Sequence, residues 1–102
     1  MRYLVTWKAN ATSWPKDPKG ALAVLEMAAA DGDQLRQAGL IKDIAWFSAQ
    51  EGFGIFEVDS KSTVVGATSP YFPLYDQEVR EIAEWEPTNK AMLDALRQAA
   101  GG

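Results

Sequence analysis

The clearest indication of the fold comes from two blocks of sequence, FGIFEVDS at residues 53–60 and SPYFPLYDQEVREI at residues 69–82. The first block has the composition of a strand that ends near Asp59. The second begins with an aromatic pair between two prolines. Because proline fixes its backbone angle and lacks an N–H donor, this pair predicts a rigid aromatic turn. A final strand is expected after the turn, over residues 75–86.

Two more strands are predicted upstream of these blocks. Residues 2–8 alternate apolar and more polar side chains, which is the period of a strand with one strongly apolar face. Residues 40–49 are rich in apolar and aromatic side chains, and a glycine-containing link over residues 50–52 joins them to the strand at Phe53. This pair of segments predicts a β-hairpin.

Apolar residues at helical spacing predict a helix that begins near Lys19 and another over residues 89–100, where Pro87 has ended the final strand. The first helix carries its stripe at Ala21, Val24, Leu25, Ala28 and Leu35. Gly39 has the position of a C-terminal stop. The segment Asp31-Gly32-Asp33 leaves open whether this region is one broken helix or two short ones.

Taken together, the two blocks resemble those of the muconolactone isomerase family, small proteins that need no cofactor and are built as dimeric α+β barrels. The resemblance covers roughly the second half of the chain and implies a helix over residues 60–68, which β-branched Thr63, Val64 and Val65 do not favour by propensity. The expected fold class is α+β. It is a ferredoxin-like βαββαβ domain over residues 1–102 with a four-stranded antiparallel sheet and an extra C-terminal helix.

Composition excludes several functions. The length of 102 residues suits one domain, and a net charge of −4 argues against nucleic acid as a partner. The chain contains neither cysteine nor histidine, so thiolate chemistry, disulfides and a histidine-based catalytic triad or zinc motif are impossible. Neither a signal peptide nor a membrane-spanning run is recognisable, which predicts a soluble cytoplasmic protein without a membrane partner.

The resemblance implies a proton-shifting isomerisation of a small apolar carbonyl or lactone metabolite, with no metal and no organic cofactor. A base removes a proton beside a carbonyl, and a donor holds the developing enolate charge. Glu57 is the expected catalytic base, because it lies in the first block with Phe56 and Val58 beside it. The alternative for Glu57 is a solvated side chain or an ion pair with a neighbouring lysine.

Six residues are candidates for ligand binding: Trp7, Lys42, Trp46, Phe56, Tyr71 and Tyr75. Lys42 is a cation that could hold a substrate carboxylate, with surface ion pairing as its alternative role. The aromatic residues are core residues or walls of a cavity between sheet and helices. Tyr71 and Tyr75 flank the proline turn, from which a phenol can donate a hydrogen bond into that cavity. Trp14, in a polar loop, is either a lid over the cavity or a cap on the core.

Apolar residues are expected on both faces of the sheet, and an exposed apolar face of that size calls for a covering partner. Face-to-face homodimerisation is the expected solution, and the resemblance implies that such dimers can assemble into larger rings. Two other functions stay open for the same fold. One is a non-catalytic protein that binds a small apolar metabolite, and the other is a cofactor-free monooxygenase.

Overall fold

The computed structural model describes residues 1–101, which form an α+β fold. Within these residues, four strands and three α-helices follow one another in the order β1 (Arg2–Ala9), α1 (Pro18–Gln37), β2 (Ile41–Trp46), β3 (Glu51–Glu57), α2 (Lys61–Thr68), β4 (Tyr75–Ile82) and α3 (Trp85–Gly101). A 3₁₀ turn, Ser69–Tyr71, follows α2 directly and contains the first proline of the predicted aromatic turn.

The four strands form one antiparallel sheet in the order β2-β3-β1-β4. β1 therefore lies in the interior of the sheet, and β2 and β4 form its edges. This arrangement confirms the predicted α+β class and the four-stranded antiparallel sheet, and it is consistent with a ferredoxin-like fold.

The two faces of the sheet differ in what covers them. Tyr3 and Val5 on β1 are buried on the face beneath the helices, where they join Phe56 of β3. Because side chains alternate along a strand, Leu4, between Tyr3 and Val5, lies on the opposite face, beside its cross-strand partner Ile55. Apolar groups therefore occur on both faces, as the sequence predicts. We call the face that carries Leu4 and Ile55 the open face.

α1 is one continuous helix, which settles the question that its Asp31-Gly32-Asp33 segment leaves open in the sequence. The Asp17 side chain caps it by accepting a hydrogen bond from the Gly20 N–H, and Pro18 occupies the first turn, where a missing N–H costs little. Gly39 follows the helix at φ +78°, a left-handed conformation that favours glycine. Gly32 lies inside α1, where a glycine lowers stability by roughly 0.5–1 kcal/mol relative to alanine. Packing of α1 against the sheet offsets this cost.

Two predicted boundaries are wrong. The hairpin turn lies at residues 47–50 rather than 50–52, so that Glu51 and Gly52 belong to β3. β4 ends at Ile82 instead of Glu86, and Pro87 does not interrupt the chain but lies in the first turn of α3. Proline is tolerated there because the first N–H groups of a helix have no intrahelical partner.

α3 extends away from the sheet. None of its residues is buried, and no other helix or strand of the described residues packs along it. The molecule accordingly measures 63 × 30 × 22 Å. Among the described helices, α3 included, none combines the length and the apolar run that a membrane crossing needs.

Candidate functional site

A cavity of about 90 Å³ lies between the covered face of the sheet and the two helices above it. Its floor is formed by sheet residues, namely Trp7, Ile41, Ile44, Trp46, Phe56, Tyr75 and Gln77. Its roof comes from α1, from the end of α2 and from the 3₁₀ turn, through Ala28, Asp31, Gly32, Leu35, Ala67, Thr68 and Tyr71. The walls are therefore mostly apolar, with a few polar groups among them, which is the usual character of a small-molecule site.

Gly52 makes room for the indole ring of Trp7 on the cavity floor. Trp7 and Gly52 are cross-strand partners in the sheet, so a side chain at position 52 would point to the same face as the Trp7 ring. A Cβ at position 52 would lie 2.7 Å from the Trp7 ring and 2.7 Å from the carbonyl oxygen of Ala45. Glycine is therefore required for the ring of Trp7 to lie over β3.

Two edge-to-face aromatic pairs support the cavity. The ring of Trp7 meets that of Trp46 with centroids 5.8 Å apart, and the ring of Trp14 meets that of Tyr75 at 5.4 Å. Trp14 thus packs against the cavity residue Tyr75 and does not itself line the cavity. Asn10 holds its loop in place, since the Asn10 side chain accepts hydrogen bonds from the Thr12 and Ser13 N–H groups and donates one to Asp76.

The roof contains a carboxylate bound to a phenol. The Tyr71 hydroxyl donates a hydrogen bond to Oδ2 of Asp31, which is half-buried in α1. Burial first, and then the hydrogen bond and the negative charge of Asp31, raise the pKa of Tyr71 well above its ordinary value. Tyr71 therefore keeps its proton at neutral pH and acts as a donor to Asp31.

Two polar atoms near the floor are buried without a hydrogen-bond partner among the described residues, the Tyr75 hydroxyl and the Gln77 Oε1. Tyr75 is only 4% exposed, and burial raises its pKa, so its phenol also stays protonated. A buried polar group without a partner costs about 1–3 kcal/mol. Both residues line the cavity, so a ligand with an acceptor and a donor would relieve this cost.

Five of the six predicted ligand-binding residues line this one cavity: Trp7, Trp46, Phe56, Tyr71 and Tyr75. Lys42, the sixth, is exposed at an irregular point of the pairing between β2 and β3, outside the cavity. Glu57 is exposed at the end of β3. Since its neighbour Phe56 points into the cavity, Glu57 points to the open face on the other side of the sheet. Its role as a base stays a prediction.

Asp31, Thr68 and Gln77 are the cavity residues with polar side chains that the sequence analysis does not assign to the site. The Thr68 hydroxyl already donates a hydrogen bond to the Val64 carbonyl oxygen, so Asp31 and Gln77 are the two of interest. Asp31 lies three residues after Ala28 and four before Leu35, so it occupies the apolar stripe of α1. A carboxylate in an apolar stripe is a signal for a functional group. Gln77 lies between inward-pointing Tyr75 and Val79 on β4, and the same alternation could have identified it.

Comparison with models of known protein families finds no match for this chain, and no curated protein matches it. No group of three or more acidic side chains suited to a metal ion occurs in residues 1–101.

Proposed function

We propose that this protein binds a small, mostly apolar molecule with a carbonyl group in the cavity and moves a proton within it without a cofactor. One observation carries the proposal: the unpartnered Tyr75 hydroxyl and the Asp31 carboxylate line the same apolar cavity. A proton donor and a carboxylate in one desolvated site are the parts that an enolate mechanism requires.

In this mechanism the base is Asp31, which lines the cavity, in place of Glu57, which is exposed at the end of β3 and faces the other side of the sheet. Asp31 takes a proton from the carbon beside the carbonyl, the electron pair moves onto the carbonyl oxygen, and the Tyr75 hydroxyl donates a hydrogen bond to that oxygen. A proton then returns from Asp31 to another carbon, after exchange with solvent where this is faster than return, so that a double bond shifts and the composition of the molecule is unchanged. Tyr71 is a positioning residue, because its hydrogen bond orients the Asp31 carboxylate.

The size of the cavity supports a ligand that enters by its carbonyl end. A cavity of about 150 Å³ holds benzene, so about 90 Å³ accommodates only part of a metabolite. A groove of about 630 Å³ between α1 and the edge strand β2 shares Ala28, Gly32, Ile44 and Trp46 with the cavity. The rest of the ligand would lie along this groove, past Trp46, which is 49% exposed.

The proposal includes membership of the muconolactone isomerase-like class, with two copies paired as a dimeric α+β barrel. The order of strands in the sheet and its apolar open face support it. A non-catalytic binding protein is the second candidate. The edge-to-face pair of Trp7 and Trp46 favours it, because such a wall binds an apolar ligand without chemistry.

Tryptophan fluorescence tests ligand binding in the cavity. An unsaturated γ-lactone is titrated into the wild type, Trp7→Phe and Trp85→Phe, since Trp7 lines the cavity and Trp85 is 78% exposed on α3. We expect a saturable change that Trp7→Phe reduces and Trp85→Phe preserves. A change that depends on Trp85 instead, or no saturable change, would contradict binding at this site. Proton NMR of the bound mixture then separates isomerisation from binding alone.

A further inference from the structure

Two polar atoms on the cavity floor come from neighbouring inward positions of β4. The Tyr75 hydroxyl and the Gln77 Oε1 are buried and make no hydrogen bond among the described residues. Tyr75 and Gln77 are two positions apart on one strand, so their side chains point to the same face from backbone positions about 7 Å apart. The floor therefore presents one free donor and one free acceptor to a molecule in the cavity.

The other polar groups in the cavity lining have roles already. The Tyr71 hydroxyl donates to Oδ2 of Asp31, and the Thr68 hydroxyl donates to a backbone carbonyl oxygen of α2. Asp31 is the base of the proposed mechanism. Tyr75 and Gln77 are thus the residues whose buried polar atoms are free to recognise the polar groups of a ligand.

The cavity lining carries no positive charge. Asp31 is the one charged side chain among the described residues that form it. A carboxylate placed in the cavity would be a second negative charge in a desolvated site and would have no counter-ion there, which is unfavourable. The part of the ligand that enters the cavity is therefore neutral. An acidic group elsewhere in the ligand would lie in the adjoining open groove, which Arg36 and Asp33 line.

Gln77 distinguishes two kinds of neutral carbonyl compound. Its amide oxygen is the atom that is buried without a partner, so this point of the floor requires a donor from the ligand. In a lactone, the ring atom beside the carbonyl is an ester oxygen, which accepts hydrogen bonds but cannot donate one to the Gln77 oxygen. In a lactam, the same ring position carries an N–H group. A lactam therefore pairs both floor atoms, whereas a lactone leaves one of them unpaired.

We propose that Gln77 determines the specificity of the cavity, and that it selects a neutral compound with an N–H group beside its carbonyl, such as an unsaturated γ-lactam, over the corresponding lactone. The Tyr75 hydroxyl donates to the carbonyl oxygen of this ligand, and the Gln77 Oε1 accepts from its N–H. The inference rests on the proposed function, because it names the class of ligand for the same cavity.

Three matched ligands test this selection. An unsaturated γ-lactone, the γ-lactam of the same ring and the N-methyl derivative of that lactam are titrated against the wild type and followed by ligand-observed NMR. The N-methyl lactam keeps the amide carbonyl but cannot donate. We expect the lactam to bind at least tenfold more tightly than either of the others. Equal affinities for lactam and lactone would overturn the inference and would indicate that water pairs the two floor atoms.

The variant Gln77→Met tests whether this residue is the origin of the selection. It keeps the length of the side chain and deletes the acceptor, so the lactam should lose its tenfold advantage while the lactone binds as before. Gln98→Met makes the same substitution on α3, outside the cavity, and should keep the wild-type preference. Because the Gln77 oxygen has no partner, Gln77→Met should not lower the melting temperature. A folded Gln77→Met protein that still prefers the lactam would overturn the proposal.

Deuterium exchange separates failure of this inference from failure of the proposed function. Proton NMR in deuterated buffer follows exchange beside the carbonyl of the lactam and the lactone with the wild type. Exchange with equal affinities would contradict the selection and leave the proton shift standing. Preference for the lactam without any exchange would support the selection and contradict the proton shift. The absence of saturable binding for all three ligands would overturn both.

Discussion

The Tyr71 hydroxyl donates a hydrogen bond to Oδ2 of Asp31, a residue 40 positions earlier in the chain. This bond ties the 3₁₀ turn after α2 to the middle of α1 and joins two parts of the cavity roof. It also orients the one carboxylate that lines the cavity among the described residues. The Tyr71–Asp31 pair therefore contributes both to the stability of the fold and to the chemistry of the site.

Removal of the phenol should destabilise the protein. Tyr71→Phe keeps the ring but deletes the donor to a half-buried carboxylate, and we expect a loss of about 1–2 kcal/mol in the free energy of unfolding. Urea denaturation followed by tryptophan fluorescence measures it. Phe72→Leu, at the exposed neighbouring position, is the control and should change stability little. An unchanged midpoint for Tyr71→Phe would show that the bond contributes nothing.

The same bond makes a prediction about pH. The pKa of Tyr71 is raised by folding, so the unfolded chain, with a tyrosine pKa of about 10, releases this proton first. The stabilisation is fully present below pH 10 and is lost as the pH rises above it. Wild-type stability should therefore fall more steeply above pH 10 than that of Tyr71→Phe. Parallel curves for the two proteins would contradict the assignment.

Tyr75→Phe should separate stability from binding. The hydroxyl has no partner among the described residues, so its removal relieves a buried polar group and should leave the melting temperature unchanged or higher. A carbonyl ligand loses one hydrogen bond and should bind about 3–10 times more weakly. Thermal melts and fluorescence titrations measure the two effects. A lower melting temperature with unchanged affinity would mean that the hydroxyl has a structural role.

Two glycines provide a matched test of packing. Gly52→Ala places a Cβ 2.7 Å from both the Trp7 ring and the Ala45 carbonyl oxygen, and it should destabilise the fold by about 1–3 kcal/mol. Gly66→Ala adds the same group inside α2 where nothing lies within 4 Å, and it should stabilise the fold by about 0.5–1 kcal/mol. Denaturation of both variants checks the pair. Stability changes of the same sign in Gly52→Ala and Gly66→Ala would contradict the close packing of Trp7 over Gly52 on the cavity floor.

The fold was largely predictable because its signals are local. The alternation over residues 2–8 and the stop at Gly39 depend on near neighbours in the sequence, and both agree with the structure. The start of α3 was missed because Pro87 ends a strand or begins a helix equally well, and only the structure decides between these.

The site was predictable only in part. Aromatic residues at inward positions indicated most of the walls, but Asp31 lies in a segment whose composition is typical of a helix break. Its place in the site is evident from its hydrogen bond to Tyr71, and no local sequence pattern connects these two residues. Glu57 and Phe56 were both assigned to the site, although adjacent residues of a strand point to opposite faces.

Deuterium exchange tests the central claim most directly. Muconolactone in deuterated buffer is followed by proton NMR with the wild type, Asp31→Asn and Glu57→Gln, both of which replace a carboxylate by an amide of the same shape. We predict exchange beside the carbonyl with the wild type and with Glu57→Gln, and a rate about 100-fold or more lower with Asp31→Asn. Full exchange with Asp31→Asn, or its loss with Glu57→Gln, would contradict the assignment of Asp31 as the base.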